Sequence, residues 1–196
     1  MKILVSCKIS DQGVYLNGEI QQKYTKETDN WKKDIYSKLE LDYPKFYKMD
    51  ALAKMAFIGF ELMESVCSFE HFEDNDVSLL FANRNSSYDT DLRFIESYTE
   101  KGSPGPSLFV YTLPNILTGE LAILKKWFGE NIFFIQENFD AEFFIDQINF
   151  YFRKGSKACL CGWVDSANDK EECFLFVVEN TAGEITPEEL TKYYKQ

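Results

Sequence analysis

The sequence predicts an α/β fold: a mixed, mainly parallel sheet of five strands, with helices on both faces and an antiparallel edge strand. An apolar run at 131–136, a sharp turn, an amphipathic stretch at 141–152 and an apolar run at 159–164 have the order of a β-α-β unit. The run at 77–82 adds an earlier strand. The run at 173–178 follows a short polar connection, which favours antiparallel pairing with 159–164 at the edge of the sheet.

The remaining elements follow from local signals along the chain. Residues 3–9 are expected to form the first strand, and Asn17-Gly18 between apolar residues is a strong signal for a type I′ hairpin turn. The helices expected besides 141–152 are a short one at 31–39, one at 49–64 with a narrow polar stripe, one at 90–99, one capped by Thr112 and a terminal one opened by the capping box Thr186–Glu189.

Composition restricts the classes of function. Of 196 residues, 45% are hydrophobic and 16% aromatic, which is enough to bury a sizeable core. The net charge of -11 argues against a nucleic-acid partner, because phosphate binding needs a basic surface. An odd number of cysteines without recurring spacing favours a reducing compartment such as the cytoplasm. Cys159 and Cys161 are expected to be buried thiols, and no metal, cofactor or membrane span is expected.

Several segments in a fixed order resemble a known family. Lys48-Met49-Asp50 begins an apolar helix, residues 77–87 give a strand and a small-residue loop, and residues 107–123 precede the β-α-β unit. Together they resemble the N-terminal half of the β-ketoacyl synthases, the condensing enzymes of fatty-acid and polyketide synthesis. The resemblance covers about residues 1–165 of a single domain at 1–196, leaving a divergent strand and helix at 166–196. It implies one half of a thiolase-like fold.

The family's reactive groups are missing from this chain. Laid on the family pattern, Asn138 stands where the nucleophilic cysteine is expected, and the second half with its active-site histidines has no counterpart. The resemblance therefore implies a protein without condensing activity of its own, like chain-length-factor subunits or short proteins of aryl-polyene pathways. In a purely structural role, Asn138 would cap the helix that follows. The candidate acyl-pocket or turn residues are Phe134, Glu137, Asn138, Phe139, Asp140 and Phe143.

The helix at 141–152 carries more apolar surface than one sheet face can bury. Phe143 and Phe150 lie away from its main apolar face, so they need cover from the terminal helix, other loops or another subunit. In the family, the strand at 131–136 pairs across a dimer axis, which makes Ile132, Phe133, Phe134 and Ile135 the candidate dimer edge.

Two kinds of partner follow from the resemblance. One is a second subunit, either another copy of this chain or a condensing enzyme. The other is an acyl carrier protein, which is acidic and would need a local basic patch on this acidic chain. The candidates for such a patch are Lys45, Lys48 and Lys54 on one element and Lys125 with Lys126 on another, although solvated helix faces are the favoured explanation of both groups.

A hydrolase or acyltransferase is the alternative function. Ser86 or Ser87 would be the nucleophile, His71 the base, and Asp89 or Asp91 the group that orients the base. The chain has no G-x-S-x-G elbow, so this hypothesis depends on the fold bringing these side chains together.

Overall fold

The computed structural model describes residues 1–24, 28, 30–168 and 170–196. This part of the chain contains one seven-stranded sheet whose strands are β1 Lys2–Ser10, β2 Gly13–Leu16, β3 Glu19–Ile20, β4 Val77–Asn83, β5 Asn131–Ile135, β6 Ala158–Ala167 and β7 Lys170–Glu179. The strand order is β3-β2-β1-β7-β6-β4-β5. Strand β4 pairs in parallel with β5 and with β6, whereas the pairs β6–β7, β7–β1, β1–β2 and β2–β3 are antiparallel.

The mixed α/β architecture is confirmed, but two details of the predicted sheet are wrong. The sheet has seven strands because the Asn17-Gly18 hairpin extends it, and antiparallel pairs outnumber parallel ones. Strand β7 pairs antiparallel with β6 as predicted, yet it lies in the middle of the sheet and not at its edge. Residues 173–178 are all buried, and a continuous buried run is typical of a strand covered on both faces.

The predicted β-α-β unit is confirmed. Strand β5 leads through helix α6, Ala141–Arg153, into β6, and both strands run parallel to β4, which lies between them. Helix α6 therefore crosses over one intervening strand.

Helices cover both faces of the sheet. Besides α6 they are α1 Trp31–Lys38, α2 Ala51–Glu64, α3 Tyr88–Thr99, α4 Pro106–Val110, α5 Ile116–Lys125 and α7 Pro187–Tyr194. Buried side chains of α1, α2 and α5 belong to the core on one face, and those of α6 and α7 to the core on the other. Helix α2 buries most of its circumference, as predicted. Thr112 does not cap the following helix, because α5 begins only after Asn115. No helix in the described ranges has the length and apolarity needed to cross a membrane.

The cysteine prediction is confirmed for Cys159 and Cys161, which are buried in β6 and face the core under α6. Burial raises the pKa of the Cys159 thiol to about 12. A thiol with so high a pKa is a poor nucleophile at neutral pH.

The stability of the folded protein should depend on pH because of one carboxyl group of α2. Burial, and then the nearby charge of Glu64, raise the pKa of Glu61 from 4.5 to about 7. The folded state therefore binds this proton more tightly than the unfolded chain, so stability is lost as the pH rises from 4.5 towards 7. We expect Glu61→Gln to increase the free energy of unfolding at pH 8 by about 1–2 kcal/mol, allowing for partial solvent screening, and much less at pH 5. Urea unfolding at both pH values measures this, and an equal effect at the two would contradict it.

Candidate functional site

The turn between β5 and α6 holds the position where the family resemblance places a nucleophile. Asn138 and Glu137 are exposed in this turn, three and four residues before Ala141, the first residue of α6. The helix cap is Asp140, whose side chain accepts a hydrogen bond from the Phe143 backbone N–H at 3.1 Å. The predicted capping role of Asn138 is therefore wrong. Asp140 has the extended backbone of a cap residue, and its carboxylate also suits the positive end of the helix dipole.

A shallow cavity of about 470 Å³ lies over this turn. Its walls are residues 136–142 of the turn and first helical turn, with Pro187 and Thr191 of α7 opposite. Asn138 and Glu137 lie in a wide depression open to solvent, so the cavity at Asn138 is not the narrow tunnel that an acyl chain would fill.

Phe139 occupies the interior side of the same turn. Its ring stacks on Tyr194 of α7 with centroids 4.2 Å apart, and it also contacts the rings of Phe144, Phe174 and Trp163. Side chains of this chain therefore fill the space behind the turn. Phe134 and Phe143 pack edge to face at 4.9 Å in the same aromatic network, and both are partly buried.

Helix α7 packs beside α6 on the same face of the sheet. The helix begins with the predicted capping box, in which the Thr186 hydroxyl accepts from the Glu189 N–H at 3.1 Å, and Leu190 is buried. At its other end, the Tyr194 hydroxyl donates to Glu172 at 3.2 Å. Phe143 is partly buried through ring contacts with Phe134 of β5 and Phe144 of α6, whereas Phe150 is 41% exposed.

A polar cluster fixes α7 to the sheet. Glu172 of β7 forms an ion pair with Lys8 of β1 and accepts a hydrogen bond from the Trp163 indole at 3.1 Å. Lys8 is buried, and its ammonium lies 4.0 Å from the ring centroid of Tyr194. Burial lowers the pKa of Lys8, while Glu172 acts in the opposite direction. The C-terminal helix is thus held by a buried charge and its partners.

Strand β5 forms one edge of the sheet, and it carries all four residues of the candidate dimer edge. Ile132, Phe133 and Phe134 are partly buried against the two cores, whereas the Ile135 side chain is 57% exposed. Within the part of the chain that the structure describes, no strand lies beyond β5.

Ser87 donates a hydrogen bond to Asp91 at 3.2 Å, but His71 is not brought near either serine, so the alternative hydrolase hypothesis is wrong. Ser86 and Ser87 follow the end of β4, whereas His71 precedes its start and lies 4.0 Å from Glu179. Strand β4 spans Val77–Asn83, and a strand rises about 3.3 Å per residue, which separates the serines from the histidine by roughly 20 Å. Ser87 is buried and donates to the Thr112 carbonyl oxygen at 2.5 Å.

The lysines proposed as a carrier-binding patch have different surroundings. Lys45 pairs with Glu120 at 2.6 Å, and Lys125 pairs with Glu64, so neither charge is left uncompensated. Lys48 and Lys54 instead line a cavity of about 460 Å³ together with Lys33 and Arg93. Sequence analysis missed Lys33 and Arg93, because they lie on α1 and α3 and no local pattern connects them to Lys48.

Comparisons with solved structures agree with this architecture. The ishigamide ketosynthase/chain length factor is similar with a TM-score of 0.69 and 16% identity, over 94% of this chain and 63% of that chain. A ketosynthase (ApeO) in complex with its chain length factor (ApeC) from Xenorhabdus doucetiae gives a TM-score of 0.61 and 11% identity, over 93% and 79% of the two chains. The AntDE:AntF complex of a type II PKS ketosynthase and acyl-carrier protein gives 0.51 and 13%, over 76% and 57%.

The chain thus spans 63% of the first of these structures. No protein-family model matches the sequence, and no curated protein matches it. Sequence identities of 11–16% establish the fold alone. The chain has the thiolase-like α/β fold of the ketosynthases and chain length factors, as the resemblance of its sequence predicted.

Proposed function

We propose that this protein is a non-catalytic partner subunit of a condensing enzyme in fatty-acid or polyketide biosynthesis, including the aryl-polyene type. The observation that carries the proposal is the apolar edge of β5, beyond which no strand lies among the described residues, in a fold shared with ketosynthase and chain length factor proteins. One of those similar structures is itself a ketosynthase bound to its chain length factor.

The backbone of β5 supports docking through this edge. The Leu79 N–H donates to the Glu130 carbonyl at 2.8 Å, and the Gln136 N–H donates to the Asn83 carbonyl at 2.9 Å. Since backbone groups alternate in direction along a strand, the odd-numbered residues Asn131, Phe133 and Ile135 direct their N–H and C=O groups away from β4. Outward-facing backbone groups of an edge strand, flanked by apolar side chains, favour strand addition by a partner.

The turn at Asn138 supports a non-catalytic role. Residues 136–140 contain no cysteine, serine or threonine, and an amide is not acylated under ordinary conditions. Behind the turn, Phe139 stacks on Tyr194, so the interior position is filled by this chain. Shape and association, rather than chemistry, are then the contributions of this subunit.

A condensing enzyme fits the edge better than a second copy of the chain. A two-fold axis at Phe133 would pair Asn131 with Ile135 of the second copy. However, each copy carries a net charge of -11, so two copies repel each other. The same net charge disfavours an acidic carrier protein over most of the surface, and the cavity lined by Lys33, Lys48, Lys54 and Arg93 is the place where one could bind the assembled complex.

Association with substituted edges tests the proposal. The chain is co-expressed with each condensing enzyme encoded in its source genome, and light scattering after size exclusion gives the stoichiometry. We expect a 1:1 complex that Ile135→Lys weakens by about a hundredfold, because the new charge would be buried in the interface. Ile20→Lys is the matched control, since Ile20 is 53% exposed on the opposite edge strand.

Three outcomes would contradict the proposal. One is that the chain forms no complex with any of those enzymes. Another is an equal effect of Ile135→Lys and Ile20→Lys. The last is a stable homodimer that excludes the condensing enzyme.

A further inference from the structure

The hairpin formed by β2 and β3 turns through Asn17 and Gly18. Leu16 pairs with Glu19, so these two residues alone connect the strands. Both have a positive φ, 50° for Asn17 and 85° for Gly18, as a type I′ turn requires. The turn therefore joins an exposed amide side chain directly to the backbone nitrogen of glycine, the residue that allows the closest approach to its backbone.

An asparagine side chain can react with the backbone nitrogen that follows it. The Gly18 nitrogen attacks the side-chain amide carbon of Asn17, and the new N–C bond closes a five-membered succinimide ring. The amide nitrogen of Asn17 takes up the proton of the Gly18 N–H and leaves as ammonia. Water, the only co-reactant, then opens the ring at either of its two carbonyl carbons. One opening gives aspartate, and the other gives isoaspartate, in which the backbone runs through the side chain.

Two hydrogen bonds to β1 hold Asn17 away from this reaction in the folded hairpin. The Ser6 N–H donates to Asn17 Oδ1 at 2.9 Å, and the Asn17 N–H donates to the Ser6 carbonyl oxygen at 2.9 Å. Rotation of the amide carbon onto the Gly18 nitrogen breaks the bond from Ser6 to the side chain. A Cβ at Gly18 would also lie 2.9 Å from Gln196 Nε2, so the Gln196 side chain packs against the turn. The reaction therefore needs the hairpin to open first.

The position of the hairpin makes this opening local. Strand β3 has only two residues, both exposed, and among the described residues it is the last strand on this side of the sheet. Elements with few buried contacts open at a lower free energy than the core. Strand β2 is anchored by the buried side chains of Val14 and Leu16. The packing of β2 thus controls how often Asn17 is released.

We propose that Asn17 is a site of spontaneous deamidation, and that the β2–β3 hairpin gates the reaction. The closed turn suppresses succinimide formation, and opening of the hairpin permits it. The isoaspartate product adds one carbon to the backbone within the turn, so the two-residue type I′ turn cannot form again and β3 is released from the sheet. The site lies at the edge opposite β5 and does not depend on pairing with a condensing enzyme.

Peptide mass spectrometry of the full chain, incubated at pH 8 with and without guanidinium chloride, measures the reaction. In denaturant, Asn17 should react faster than Asn138, because the side chain of Phe139 hinders the nitrogen that follows Asn138. Without denaturant, we expect the reaction at Asn17 to be slower by about tenfold or more, because opening must precede it. Electron-transfer fragmentation distinguishes isoaspartate from aspartate.

Two matched truncations locate the gate. Leu16 of β2 is 5% exposed, and Leu117 of α5, outside the hairpin, is 2% exposed. We expect Leu16→Ala to accelerate the reaction of the folded chain at Asn17 by about fivefold or more, and Leu117→Ala to leave it unchanged, because only the first loosens the hairpin. Circular dichroism verifies that both variants fold, and the comparison of folded with denatured wild type tests the gate without either of them.

Any of three results overturns the proposal. The first is a denatured chain in which Asn17 reacts no faster than Asn138. The second is a folded chain in which Asn17 reacts as fast as in denaturant. The third is an acceleration by Leu117→Ala equal to that by Leu16→Ala, which would assign the reaction to global unfolding.

Discussion

Gly129→Ala is expected to lower the free energy of unfolding by about 3 kcal/mol, because the added Cβ has no space. A Cβ at Gly129 would lie 2.2 Å from the Val77 carbonyl oxygen, which belongs to the backbone of β4 and cannot rotate away. Either β5 must move from its place beside β4, or the turn before it must rearrange. Urea unfolding monitored by tryptophan fluorescence measures the loss.

Gly119→Ala is the matched control for this substitution. Gly119 lies inside α5, and a Cβ there would have no heavy atom within 4 Å. Because alanine is favoured over glycine in a helix, this variant should be more stable by about 0.5–1 kcal/mol. Opposite signs for the two variants are the predicted result, and a Gly129→Ala protein as stable as Gly119→Ala would refute the close approach of β5 to β4.

Glu172→Gln is expected to destabilise the protein by about 3 kcal/mol, since it leaves the ammonium of Lys8 buried without a counter-charge. The amide can still accept hydrogen bonds from the Trp163 indole and the Tyr194 hydroxyl, so the loss reports mainly on the charge. Near-ultraviolet circular dichroism should also show a loosened Tyr194 environment, because Glu172 helps to hold α7.

A second substitution should rescue this variant. Adding Lys8→Met removes the buried charge, and we expect Lys8→Met/Glu172→Gln to recover most of the lost stability. The side chain of Lys8 is only 5% exposed, so methionine should fit the same apolar path. Additive effects of the two substitutions on the free energy of unfolding would show that Lys8 and Glu172 are not energetically coupled.

The local parts of the fold were predictable from the sequence, whereas the order of the strands was only partly so. The β-α-β unit follows from two apolar runs around an amphipathic helix, and the hairpin follows from Asn17-Gly18. Strand β7 was placed at the edge because a short connection predicts pairing with β6 and gives no information on the other side. Its second neighbour is β1, about 170 residues away in sequence, and that pairing has no local signal.

In the candidate site, too, local features were predictable from the sequence and long-range contacts were not. The position of the turn was predicted, but the helix cap was predicted two residues too early, because Asn138 and Asp140 are both favourable cap residues. The cover provided by Tyr194 depends on a contact between the turn and the last helix of the chain. The cavity lined by Lys33, Lys48, Lys54 and Arg93 joins residues that are distant in sequence; Lys48 and Lys54 were already grouped, whereas Lys33 and Arg93 were not.

Hydrogen exchange along β5 tests the docking claim most directly. The amides of Asn131, Phe133 and Ile135 face away from β4, so they should exchange rapidly in the isolated chain. In a 1:1 complex with its condensing enzyme, we predict that the exchange of these three amides slows by about a hundredfold or more, while that of Ile20 on the opposite edge strand is unchanged. Unchanged exchange at all three amides in a complex of established stoichiometry would contradict association through this edge.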